Sequence, residues 1–228
     1  MDPMLQKPRP PLGRWLREPV NALTHGVGAV LGVAGLVALL VLSDGEPWRT
    51  VAFSVYGASL IALYLASAVM HGVIAPMTVI RRLRILDHAA IFLLIAGTYT
   101  PITLVALRSE SPAWGWALFG TAWGFAALGV VFKLFWLDAP RWLSVAMYIA
   151  MGWMAVVGIV PMVQALPWSA LTWLLVGGLF YSVGAIIYAR KRPDPWPRVF
   201  GYHEIWHLFV LAGSVSHFVL MLRYVLPA

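Results

Sequence analysis

His203 and His207 stand four residues apart in an apolar stretch near the end of the sequence, and a helix projects such a pair from one face. Two imidazoles so placed are a standard grip for one metal ion. Ser67 and His71 repeat the spacing in an earlier apolar stretch, and Asp87 and His88 open a third. His25, Glu204 and His217 complete the ionisable side chains set among apolar residues. Such groups are expensive inside a bilayer, so each needs a reason to be there.

Three histidines from two helices, His71, His203 and His207, with the carboxylate of Asp87 nearby, describe a zinc site that keeps an open position. Zinc held by neutral imidazoles lowers the pKa of bound water to about 7. Asp87 is then the candidate to orient or deprotonate that water, and Ser67 the candidate donor to a developing oxyanion. His25, His88 and His217 are expected not to be ligands. The residues leave other readings open. The histidines also fit a proton relay. Asp87 also fits a pair with Arg84, a helix cap, or a fourth ligand that closes a structural site. Ser67 also fits a bond back to its own helix. Segment 203–207, HEIWH, fits the H-E-x-x-H signature in which the glutamate is the base. Glu204 is turned about 100° from His203 on a helix, so Asp87 ranks above it as the water-handling carboxylate.

The elements that must position these residues are membrane helices. Hydrophobic types make up 61% of the 228 residues and charged types only 11%. A soluble domain usually carries about 25% charged residues. Seven apolar runs, near 20–42, 50–74, 84–107, 113–135, 142–163, 168–190 and 201–225, each approach the length that spans a bilayer. The expected fold is all-α, a seven-helix transmembrane domain over 20–228 behind a basic, proline-rich tail over 1–19. The first run is too long for a signal-peptide core and is read as a retained helix. With no cysteine, disulfides and thiolate metal sites are excluded.

The net charge of +7 is a topology signal, not a nucleic-acid footprint, because no separate module remains to read nucleic acid. The tail and the second, fourth and sixth loops carry 13 Lys and Arg, and the opposite side carries three. That bias predicts a cytoplasmic N-terminus and an outside C-terminus, in the inner membrane. Trp48, Trp114, Trp116, Trp136, Trp142, Trp168 and Trp196 mark helix ends at the interface. With this topology, seven of the eight ionisable groups fall in the cytoplasmic leaflet, and His217 lies about 15 Å beyond His207. Asp87 and Thr98, eleven apart, share a face. Gly28 with Gly32, and Gly120 with Gly124, form GxxxG pairs expected to pack helices closely, and such small-residue faces are also candidates for self-association. A conducting pore needs polar groups along its whole length, and here they crowd one leaflet.

Four segments together resemble the hemolysin III family, within the progestin and adipoQ receptor superfamily. They are EPVNALTHGVGA with Glu18, Asn21, Thr24 and His25; SAVMH with Ser67 and His71; LDHAAIFLLIAGTYTPI over 86–102; and HEIWHLFVLAGSVSHF over 203–218. The resemblance covers roughly 18–225. It implies seven helices with a cytoplasmic N-terminus, a zinc ion on His71, His203 and His207, Asp87 at the zinc-bound water and Ser67 beside it. Related receptors and alkaline ceramidases imply hydrolysis of a lipid amide bond, with membrane lipids as partners. The family name implies lysis of cells. Bacterial relatives imply membrane-lipid homeostasis. A zinc-dependent lipid amide or ester hydrolase is the leading expectation. A non-enzymatic receptor or sensor with structural zinc, and a cytolytic or channel-forming protein, are the alternatives.

Overall fold

The computed structural model describes residues 15–197 and 199–228. The tail's Lys7, Arg9 and Arg14, with its prolines up to Pro11, and Arg198 of the sixth loop lie outside the described residues. The described residues are helical, with a single backbone bridge, Trp196 to Phe200, and no strand.

The helices are α1 (Pro19–Leu42), α2 (Pro47–Gly72), α3 (Met77–Pro101), α4 (Pro112–Phe135), α5 (Arg141–Gly152), α6 (Ile159–Ala165), α7 (Trp168–Arg190) and α8 (Tyr202–Leu220). Prolines at the first turns of α1, α2 and α4 supply a helical φ where no intrahelical N–H bond is needed. Glu46 accepts from Arg49 N at the start of α2. Beyond Pro101, which has no N–H for the ladder, α3 winds on as a π-helical stretch, Ile102–Leu107. The last helix ends similarly over Met221–Val225.

Among the described residues, six helical spans are long and apolar enough to cross a membrane. The seventh is broken, contrary to the expectation of one continuous helix over 142–163. Arg141–Val156 and Ile159–Ala165 meet at 53°. The Tyr99 hydroxyl explains the break. It donates to Gly152 O at 2.8 Å and accepts from Ala155 N at 2.7 Å, so a side chain replaces part of the backbone ladder. Pro161 removes a further N–H donor just beyond.

Helix α3 is the axis of the bundle. Its apolar window is 78% buried, whereas that of α1 is 22% buried. It packs on α2, α4 and α5, while α1 packs on α2 and α8, and α8 on α7. The outward faces carry Val30, Val41, Leu128, Leu134 and Val160, all exposed. In water such a surface would aggregate; in acyl chains it costs nothing. The chain is a multi-pass membrane protein.

The two GxxxG pairs behave differently. A Cβ at Gly28 would stand 2.7 Å from the Tyr64 ring, so α1 and α2 approach closely only because Gly28 has none. Gly32 faces Ile61 in the same contact. Gly120 and Gly124 face open space, so this pair does not pack helices within the chain, correcting that expectation.

Candidate metal centre

The α2 and α8 helices deliver the three histidines to one point. One ligand-type atom from each of His71, His203 and His207 lies within 4.8 Å of the others. The ring centroids of His71 and His203, His71 and His207, and His203 and His207 are each 4.9 Å apart. Each ring presents one buried nitrogen with no hydrogen-bond partner: Nε2 of His71, and Nδ1 of His203 and of His207. Buried nitrogens without a partner are costly, and His25, His88 and His217 carry them too, but among the described residues only His71, His203 and His207 bring ligand-type atoms within 4.8 Å of one another. The donor set suits a metal of zinc's class.

His71 is held from behind. Its Nδ1 lies 2.5 Å from Glu18 Oε2. With Glu18 ionised, Nδ1 carries the proton and donates it, which leaves Nε2 as the ligand atom. Burial pushes the Glu18 carboxyl up, but the hydrogen bond from His71 and the neighbouring positive charge of Arg17 outweigh it and hold it below its ordinary value. Glu18 is fixed in turn by Arg17 at 3.1 Å and by Asn21 Nδ2 at 3.2 Å. Arg17 N and Glu18 N donate to Gly72 O and His71 O, so these two residues, expected in the tail, are docked on the end of α2.

Glu204 faces the other way. It accepts from Gly201 N at 2.8 Å, capping α8, and from Asn21 Nδ2 at 3.0 Å. Asp87 lies beside the Ser67 hydroxyl and within electrostatic reach of His71. Its helix begins at Met77, so Asp87 is three turns in and is not a cap. Arg84 pairs with Asp138, at 3.3 Å. Among the described residues Asp87 is not one of the atoms grouped within 4.8 Å.

The remaining histidines take separate places. His25 stacks on His207, ring centroids 3.6 Å apart, and meets Tyr64 edge-on at 5.0 Å. Tyr64 OH donates to Ser214 Oγ at 2.7 Å, and Tyr181 OH joins the same oxygen at 2.8 Å. His217 Nε2 donates to Leu174 O at 3.2 Å. A Cβ at Gly177 would strike the His217 ring, so glycine makes the room for it. His88 places its backbone carbonyl on Tyr148 OH. The histidines, Asp87, Ser67 and Thr98 all line one cavity of about 840 Å³.

Sequence reasoning named Glu18 and Asn21 only as part of the resemblance's opening motif and gave them no role in holding His71. The signal for that role was present: a carboxylate abutting the first apolar run of a chain that is only 11% charged.

The sequence matches the family described as "Haemolysin-III related" over residues 13–218. It is 42% identical over 212 residues to "Hemolysin-3" of Bacillus cereus, covering 92% of each chain. It is 37% identical to the "Hemolysin-3 homolog" of Bacillus subtilis (strain 168), covering 91% of this chain and 93% of that one. It is 26% identical to the human "Monocyte to macrophage differentiation factor", covering 90% and 82%. With its helical bundle and its buried histidine triad, the chain belongs to the haemolysin III-related family, within the progestin and adipoQ receptor superfamily.

Proposed function

We propose that the protein is a zinc-dependent hydrolase of an amide or ester bond in a membrane lipid, with its N-terminus cytoplasmic and its site in the inner leaflet of the cytoplasmic membrane. The observation that carries this reading is the convergence of His71, His203 and His207, with ligand-type atoms within 4.8 Å of one another, on a large cavity that Asp87 and Ser67 also line. When bound, zinc supplies Lewis acidity at a carbonyl oxygen and an acidified water. The protein's own residues do the rest. His71, held by Glu18, keeps its ligand nitrogen in place. The Asp87 carboxylate accepts a proton from water and returns it to the leaving nitrogen or oxygen. The Ser67 hydroxyl donates a hydrogen bond to the oxygen that gains charge. Because Asp87 stands outside the 4.8 Å histidine group, it is better placed as a base than as a fourth ligand. The capping role of Glu204 supports the ranking of the two carboxylates.

The test is hydrolysis of defined lipids by the purified protein, followed by mass spectrometry. Wild type releases free acyl chains, and Asp87→Asn retains zinc but loses turnover by about 100-fold or more. Loss of zinc in Asp87→Asn would instead identify a ligand. A receptor with structural zinc is the second reading, supported by the way the triad would join α2 to α8. It predicts full zinc binding with no lipid product from wild type.

A further inference from the structure

The cavity wall is cationic well beyond the needs of a metal site. Six basic side chains line it, Arg17, Arg81, Arg84, Lys133, Arg141 and Lys191, against three acidic ones. Arg17 pairs with Glu18, and Arg81 and Arg84 with Asp138. Lys133 and Arg141 form no ion pair among the described residues, although the Asp138 carboxylate lies within electrostatic reach of Lys133. Lys133 stands in the last turn of α4, where a lysine ordinarily snorkels out to the interface. Here it turns inward, is only 1% exposed, and its Nζ bonds the neutral hydroxyl of Ser144 at 2.5 Å. A buried charge without a counter-charge is costly. Arg141 lies over the Tyr188 ring at 4.7 Å, and Tyr188 meets His203 edge-on at 5.4 Å, so this cation adjoins the metal centre.

We propose that Lys133 and Arg141 form an anion subsite that holds the phosphate or carboxylate of an amphiphile, with its acyl chain lying in the apolar remainder of the cavity toward Leu174. This rests on the reading of the cavity as a lipid site and adds the class of lipid: anionic, not neutral. The anion supplies the direct ion-pair partner that both cations lack among the described residues. Its position near Tyr188 sets the distance between the charged head and the bond presented to the histidines.

Equilibrium binding to the purified full chain tests the subsite without relying on turnover. The probes are phosphatidic acid, a neutral diacylglycerol with the same chains, and inorganic phosphate, each with and without a zinc chelator. Wild type should bind phosphatidic acid about tenfold or more tighter than diacylglycerol, chelator or not. Lys133→Met and Arg141→Met should each remove most of that preference. Lys133→Arg should restore it, and the exposed Arg82→Gln should leave it intact. Inorganic phosphate should bind far more weakly than phosphatidic acid. Equal affinity for the anionic and neutral lipids, or equal loss in Arg82→Gln, would overturn the subsite. Inorganic phosphate binding as tightly as phosphatidic acid would overturn the lipid assignment. Failure of hydrolysis alone would leave these binding results standing, so the two readings fail separately.

Discussion

Replacing Glu18 tests how the centre is held. Among the described residues its carboxylate is the only hydrogen-bond partner of His71 Nδ1, at 2.5 Å, and it orients the ring and fixes the tautomer that frees Nε2. Removing a partner of this kind typically lowers metal affinity by about 10–100-fold. At about 1.4 kcal/mol per tenfold, that is about 1.4–2.8 kcal/mol. Glu18→Gln keeps a neutral acceptor for Nδ1–H and should fall at the low end, near tenfold. Glu18→Ala leaves Nδ1–H buried without a partner and should approach a hundredfold. Arg17→Gln, which leaves the Glu18–His71 bond in place, is the control and should change affinity by less than about threefold. The assay is competition for zinc against a chromophoric chelator, with folding checked by thermal unfolding at saturating zinc. Wild-type affinity in both Glu18 variants would refute the clamp. The acid side has a defined sign. The Glu18 carboxyl is held below its ordinary 4.5, so its contribution is fully present above about pH 4.5 and fades as pH falls below it. The gap in Tm between wild type and Glu18→Gln should therefore stay constant down to about pH 5 and narrow below it.

Three other substitutions separate the roles of neighbouring residues. Glu204→Gln keeps an acceptor for Gly201 N at the start of α8 and should leave zinc, turnover and stability nearly unchanged; loss of activity alone would make Glu204 the base. Tyr99→Phe removes the hydroxyl inserted at the α5 break, orphans Ala155 N, and should destabilise the fold by about 1–3 kcal/mol in thermal unfolding. Gly28→Val should clash with Tyr64 and lower Tm sharply, whereas Gly120→Ala, facing open space, should leave the isolated chain's Tm unchanged.

Helix positions were legible because a hydrocarbon span imposes about 20 apolar residues and little else. The broken seventh span was not. Its break depends on Tyr99, more than 50 residues away, reaching two backbone groups, and no local pattern records that contact. The histidine triad was legible from spacing, since i and i+4 put His203 and His207 on one face. The resemblance agreed on the same three residues. Gly28 and Gly120 show the limit of motif reading: the same GxxxG spacing packs α1 on α2 in one case and meets empty space in the other. Which side of a helix faces a neighbour is a tertiary fact. Glu18 belongs to the opening motif, but its role was not legible, because the residue sits just before Pro19 at the edge of an apolar run and within the basic tail. Its distance to His71 is 53 residues in sequence and 2.5 Å in space.

Elemental analysis of the purified protein tests the central claim most directly, because every proposed step depends on a metal held by these three side chains. Wild type should carry one zinc per chain, His71→Ala, His203→Ala and His207→Ala should carry almost none, and His217→Ala, whose ring bonds Leu174 O instead, should carry the wild-type amount. Equal zinc in wild type and His207→Ala, or none in wild type, would contradict the account.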